Sequence, residues 1–408
     1  MELDGEFLQQ RRKGLPAGPL LKCAGYAELP HHAATRFPRR LRIRTRPPIS
    51  EFLSPIECRR RLVCRIRADR LRHGTSTAPV DPESPAFERM LLMSSDLNSR
   101  EVITVLGTMS PDLMGVTQTH EHLILDAMGH YPNYEYVIDD EDLVANEVQE
   151  FLSRGGKTIC DVTLDEIGRN PEALVRLSKR TGLNILMGCG WYREFNYPKI
   201  VEELTSRELA DVLVKEIEVG VRDTGIRAGF IGEIGTGRHF VKPGEERVFR
   251  ASALAQARTG VAITTHTTRW GTLAMEQIAM LDEFGADMNK VIIGHLGDRI
   301  GVHHLLPIAE KGVYLEVDNI GYIDYQPEYV RADNVAALVK EGYGHRVLLS
   351  EDICTLKHLK YQGGKGYGYL LEIFVPMLRD RGITDEQIHQ MLVTNPAEVF
   401  SRARRNDV

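Results

Sequence analysis

From about residue 100 the chain alternates two patterns. Short apolar runs are followed by longer segments in which apolar positions recur every three or four residues. The first pattern is that of buried strands, and the second that of helices with one apolar face. Read this way, strands fall at 115–122, 157–162, 184–188, 228–234, 261–266, 290–295, 313–317 and 346–352. Helices fall between them at 141–154, 171–181, 207–223, 244–259, 271–284, 302–311 and 328–342, with two more at 364–380 and 384–399. Thr384 is placed to cap the last of these, and Gly182, Gly260, Gly285 and Gly312 close helices where a left-handed residue is favoured. Eight strands with intervening helices predict a parallel (β/α)8 TIM barrel. An open doubly wound sheet is the alternative, but no G-x-G-x-x-G follows the first strand. A short run at 102–105 with Gly107 reads as a hairpin in front of the barrel.

The first ninety-odd residues do not share this rhythm. Up to Met93 there are about 18 Lys and Arg against about 10 Asp and Glu, so this stretch is near +8 and the remainder near −14 of a total of −6. Arginines cluster at 39–46 and 59–61, prolines recur, and no periodicity persists. Such a segment buries too little apolar surface to offset its chain entropy, so residues 1–95 are expected to form a disordered basic extension and 96–408 the barrel. The extension has three readings: a transit peptide, a basic arm for an anionic surface, or an upstream addition without function. Glu2, Asp4 and Glu6 argue against the first.

The totals narrow the function. Net charge gives no reason to expect nucleic-acid binding, and no apolar run approaches the ~18 residues of a membrane span. Six scattered cysteines make neither a disulfide framework nor a zinc knuckle and fit a cytoplasmic protein.

Candidate chemistry lies at the strand ends. His120 and His122 are two apart on a strand, so their imidazoles share a face and can share a metal ion, while Glu121 points away. A lone H-x-H also fits an ordinary polar strand end. Here, however, the fourth strand carries Glu233, the fifth ends in His266, the sixth in His295 and the eighth in Asp352. Barrel active sites form at this end. Four histidines and two carboxylates exceed what one zinc ion needs and suit two divalent ions about 3.5–4 Å apart.

These motifs resemble the phosphotriesterase family of the amidohydrolase superfamily, and within it the phosphotriesterase homology proteins. The resemblance spans roughly 101–400 and rests on Thr119-His120-Glu121-His122-Leu123, the run from Arg227 to Thr236, Thr264-Thr265-His266-Thr267, Ile293-Gly294-His295 and Leu349-Ser350-Glu351-Asp352-Ile353. The segments His358-Leu359-Lys360 and 363–370 are also similar to the family's. The resemblance implies His120, His122 and Asp352 on a buried metal, His266 and His295 on an exposed one, and a bridging carboxylate. Where the phosphotriesterases proper place a carboxylated lysine, this chain has Gly232 and then Glu233, so the bridge passes to Glu233 and organophosphate hydrolysis is put in doubt.

The implied reaction is attack by a metal-bridging hydroxide on a carbonyl or phosphoryl centre, with Asp352 taking the proton. Zinc is the expected metal, with Mn, Co or Ni compatible. Lactone or ester hydrolysis leads, amide and phosphotriester hydrolysis follow, and a non-catalytic binding member of the fold is the alternative from another class. A basic-arm adaptor acting through residues 1–92 is a third. Tyr192 and Arg193 after the third strand are expected to meet a small-molecule substrate, and His358, with Lys357 and Lys365, an anionic group. The resemblance also suggests a homodimer.

Overall fold

The computed structural model describes residues 99–405. The extension expected over residues 1–95 lies outside them. Eight parallel strands form one sheet in chain order: Val116–Glu121, Gly156–Asp161, Asn184–Cys189, Phe230–Gly235, Ile263–His266, Val291–Ile293, Tyr314–Val317 and Val347–Leu349, here strands one to eight. The principal crossover helices are Glu141–Ser153, Pro171–Thr181, Ser206–Glu218, Pro243–Thr259, Ala274–Glu283 and Glu328–Lys340. The result is the expected (β/α)8 barrel. Ahead of it, Arg100–Thr104 pairs antiparallel with Gly107–Met109, and the C-terminal Arg402–Ala403 adds to the other edge.

Period-2 alternation sorts the strand residues into two sets. Ile231, Ile263, Val291, Ile293, Leu315, Val317, Val347 and Leu349 pack outward with the helices. Cys160, Leu186, Phe230, Ala262, Ile292, Tyr314 and Leu348 fill the interior together with Met114 and Phe400. The interior is thus a packed plug at the N-terminal end of the strands. Further along the same inward phase come Gln118 and His120 on strand one and His122 just after it, Thr264 and His266 on strand five, Glu316 on strand seven and Asp318 just after it, and Ser350 and Asp352 just after strand eight. The chemistry sits on top of the plug because the inward side of each strand changes from apolar to polar at the same height.

The predicted helices differ from the observed ones where glycine and proline intervene. The helix expected over 207–223 ends at Glu218, because Gly220 is at φ +135 and its Cβ position lies 2.7 Å from Gly225. The helix expected over 302–311 is a short turn, Val302–His304, followed by Leu306–Ala309 with proline in its first turn. In the two C-terminal helices, wide π-type turns at Leu370–Phe374 and Gln390–Thr394 run directly into Val375-Pro376 and Asn395-Pro396. A proline cannot donate to the preceding turn, and the backbone widens there to re-pair its carbonyls. Among the described residues no helix is long and apolar enough to cross a membrane.

Strands one and eight close the barrel through a backbone hydrogen bond and a set of side-chain ones. The Asp352 N–H donates to the His120 carbonyl at 3.1 Å. The Ser350 hydroxyl accepts from the His120 N–H at 3.0 Å and lies 2.7 Å from the Glu121 carboxylate. That carboxylate, fully buried, also accepts the N–H groups of Glu351 at 2.7 Å, Asp352 at 3.3 Å and Ile353 at 2.8 Å. Glu121 does point away from the histidines, as the alternation requires, and there it binds the turn that carries Asp352. Replacing it by alanine would leave several buried donors unpaired, at about 1–3 kcal/mol each. Glu121→Ala is therefore expected to lose at least about 3 kcal/mol of stability in denaturant unfolding. A loss under about 1 kcal/mol would show that the seam does not depend on this carboxylate.

Candidate metal centre

Strand one brings His120 and His122 to the top of the barrel with both Nε2 atoms facing inward. Each ring is oriented from behind. His120 Nδ1 lies 3.0 Å from the Glu316 carboxylate, and His122 Nδ1 lies 2.9 Å from the Thr163 hydroxyl. His295 is held in the same way, its Nδ1 3.0 Å from the Asp318 carboxylate. An imidazole that donates Nδ1–H to a carboxylate carries its lone pair on Nε2, the arrangement that supports metal-ligating histidines. His266 is turned the other way round. Its Nδ1 is 2.7 Å from Glu233 and 2.7 Å from His295 Nε2, while its Nε2 is 3.3 Å from the Tyr192 hydroxyl.

His295 and Asp352 lie just beyond their strands, at φ +60 and +54. Left-handed backbone is uncommon for residues other than glycine, and here it turns each side chain out of the strand direction toward the cluster. Glu233 reaches the centre by a different device. The register between strands four and five shifts between Ile231 and Ile234, and the Gly232–Glu233 peptide is cis. Gly232 sits at φ +124, with the Thr264 carbonyl only 2.0 Å from where a Cβ would be. No side chain fits at 232, so the carboxylate is presented one residue later.

Around His120 and His122 the spacings fit metal ligands better than hydrogen bonds, whereas the 2.7 Å contacts of His266 are hydrogen-bond distances. His120 Nε2 is 3.4 Å from Glu233 and 3.8 Å from Asp352. His122 Nε2 is 3.5 Å from Glu233 and 3.4 Å from Asp352. Atoms bound to one zinc at 2.0–2.1 Å stand about 3.3 Å apart. His120 Nε2 is fully buried and has no hydrogen-bond partner among the described residues. Donor atoms of His120, His122 and Glu233 converge within 4.8 Å, as do those of Glu233, His266 and His295, and those of His120, His295 and Asp352. Glu316 and Asp318 meet His120 in a further group, but on its Nδ1 side and at hydrogen-bond distance.

Charge points the same way. Against burial, which would lower it, Glu316 and Glu233 hold the His120 imidazole well above its ordinary value. Asp318 does the same for His295. Against burial, which would raise it, His266 and His120 hold the Glu233 carboxyl well below the usual carboxylate range. Burial and the neighbouring His295 pull His266 down to about 3. These carboxylates favour positive charge at the centre, and neutral imidazoles beside carboxylates are the donor set that zinc and related divalent ions take.

Above the centre opens a cavity of about 290 Å³, lined by His122, Glu233, His266, His295 and Asp352 at its floor and by Tyr131, Tyr136, Tyr192, Trp270 and Tyr325 on its walls. Of the three residues predicted to meet substrate, Tyr192 lines this cavity, and burial pushes its hydroxyl well above its ordinary value. Arg193 and His358 are not among the lining residues. The Arg193 guanidinium packs over the Tyr192 ring at 5.8 Å. His358 lies against the Tyr322 ring at 3.9 Å with its Nδ1 2.7 Å from the Thr355 hydroxyl, and burial and Lys357 draw it down to about 4. Lys365 lies over the Tyr369 ring at 5.4 Å. Arg269, which the sequence reading passed over, does line the cavity. So did Glu316 and Asp318 escape it, although two acids at alternate positions of an otherwise apolar strand mark an inward polar face.

A sequence profile of the phosphotriesterase family matches residues 100–400, and the chain belongs to that family. Its fold is shared with the crystal structure of a phosphotriesterase homology protein from Escherichia coli with phosphate in its active site. That structure has a TM-score of 0.69 and 36% identity over 71% of this chain and 99% of that one. A lactonase from Listeria monocytogenes superposes with a TM-score of 0.70 and 28% identity, covering 75% of this chain and 100% of that one. An N-acetyltaurine hydrolase from Danio rerio is 33% identical over 72% of this chain and 96% of its own length.

Glu316→Gln keeps the shape behind His120 but removes the charge that orients its ring. Loss of such a partner costs about 10–100-fold in metal affinity. Competition against a chromogenic chelator should show zinc binding at least about tenfold weaker, with the thermal midpoint little changed. Unaltered affinity would remove Glu316 from the support of the centre.

Proposed function

We propose that this chain is a metal-dependent hydrolase of a carboxylic acyl bond in a small molecule, with a lactone or simple ester as first substrate class and an amide as second. The observation that carries this reading is the convergence of four imidazoles and two carboxylates at the floor of one cavity, three of the imidazoles oriented from behind. Two divalent cations, zinc first, would be held by His120, His122 and Asp352 on one side and His266 and His295 on the other, with Glu233 between. Their contribution would be to polarise the scissile carbonyl and to make hydroxide available near neutral pH.

The protein's own groups have distinct tasks. Asp352 faces the cavity with its carboxylate near His122 and His120, and it takes the proton of the attacking water and returns it to the leaving group. The Tyr192 hydroxyl, protonated at any working pH, donates toward the substrate or holds His266 in place. The aromatic walls exclude water around the acyl group. The lactonase and the N-acetyltaurine hydrolase among the similar proteins support acyl transfer to water over phosphoryl transfer. So does the carboxylate of Glu233, one residue beyond the position where the resemblance to the phosphotriesterases proper would place a carboxylated lysine.

Protein purified without chelator is expected to contain about two equivalents of transition metal by plasma mass spectrometry, to lose hydrolysis on dialysis against chelator and to regain it with zinc or manganese. One equivalent would undercut the Glu233 bridge. Failure to bind metal at all would leave the non-catalytic reading. Asp352→Asn is expected to lower kcat by at least about 100-fold, and undiminished turnover would remove Asp352 from proton transfer.

A further inference from the structure

The cavity wall carries one fixed positive charge that the acyl chemistry does not use. Arg269 is the single Lys or Arg among the described residues that line the cavity. Its guanidinium lies 4.3 Å from the Trp270 ring centre and 4.5 Å from that of Tyr325. Both rings line the same cavity. Stacking uses the faces of the guanidinium and leaves its five N–H donors directed outward in one plane. Among the described residues none of these donors has a carboxylate partner, in contrast to Arg169, Arg331 and Arg402, which are all paired. A second guanidinium, Arg238, sits 5.0 Å from the other partner of this stack, the Trp270 ring, and adds positive potential to the rim.

The floor does not offer Arg269 a partner either. Among the described residues the carboxylates lining the cavity are Glu233 and Asp352, and both turn to the histidine cluster. Arg269 is half-buried against these two rings, so part of its side-chain freedom is given up in advance and an incoming anion meets a partly preformed donor fork. Such a fork matches a planar or trigonal oxyanion through two parallel N–H···O bonds. The cavity volume, at the small end of the ~300–1,000 Å³ range of ligand sites, limits the substrate to a compact molecule.

We propose that Arg269 is the specificity residue of this site and that the substrate carries a carboxylate or sulfonate at the end remote from the scissile acyl bond. The inference rests on the hydrolase reading above and narrows it to anionic acyl compounds, such as half-esters of dicarboxylic acids or N-acyl derivatives of amino acids and aminosulfonates. Neutral lactones and simple esters still fit the acyl chemistry, and their anionic counterparts are the preferred members of the class. Arg193, which the sequence pointed to as meeting the substrate, packs over the Tyr192 ring and does not itself line the cavity.

The test uses the full chain loaded with zinc and two esters of equal length, the 4-nitrophenyl monoester of glutaric acid and 4-nitrophenyl valerate. They differ by a carboxylate in place of a terminal methyl. The wild-type protein is expected to prefer the glutarate ester in kcat/KM by at least about tenfold, mainly through KM, as a charge-assisted bidentate contact supplies. Arg269→Gln should bring that ratio close to one, and Arg269→Lys should restore part of it by keeping the charge without the fork. Equal use of both esters by the wild type, or a preference that survives Arg269→Gln, overturns the assignment. If neither ester is hydrolysed the hydrolase reading is what fails, and binding of monomethyl glutarate by calorimetry decides the anion site separately. Binding at least about tenfold weaker in Arg269→Gln supports it, and equal binding in the two proteins overturns it.

Discussion

The site depends on the seam between strands one and eight. A parallel barrel must bring its first and last strands together across the longest separation in the chain, and here the carboxylate of Glu121 does so by gathering the N–H groups of residues 351–353. The consequence is local as well as global. His120 and His122 flank Glu121 in sequence, and Asp352 lies within the turn that Glu121 binds. One buried carboxylate therefore closes the fold and sets two histidines beside the aspartate they would share a metal with. Without the seam these groups would belong to opposite edges of an open sheet.

Above the seam the design is one of opposed charge. Glu233, Glu316, Asp318 and Asp352 surround four imidazoles in a space from which water is largely excluded. Buried carboxylates without a cation are costly, and the histidines compensate only by holding protons that a neutral imidazole would release. Divalent cations would relieve the same imbalance more completely and would leave the Nδ1 sides of His120 and His295 on their carboxylate supports. With cations bound the cavity would be electropositive at its floor, and Arg269 in its wall would add to a field that suits the small anionic acyl compound proposed above.

Much of this was legible from one-dimensional pattern. The eight strands and six principal crossover helices appear within a few residues of where alternation and helical periodicity put them. The residues His120, His122, Glu233, His266, His295 and Asp352 do meet, because each ends a strand and a barrel brings such ends to one rim. What pattern misplaced is equally informative. The loop residues Arg193 and His358 were assigned to the cavity by nearness in sequence to strands three and eight, yet neither lines it: Arg193 packs on the Tyr192 ring of its wall and His358 on the Tyr322 ring. A loop side chain's direction depends on its packing partners, which periodicity does not report. Prolines 376 and 396 fall inside the two C-terminal helices that periodicity predicts, and the backbone accommodates each with a widened turn.

By itself the sequence determined the class of fold, the family and the six candidate ligands, because those follow from period, order and residue type along the chain. The tertiary structure alone decided how the ligands are supported and what the cavity asks of a substrate. Glu316 behind His120, Glu121 across the seam and Arg269 between Trp270 and Tyr325 all act through neighbours supplied by other strands or loops. Such contacts depend on distance and direction in three dimensions, and a single sequence carries no record of either.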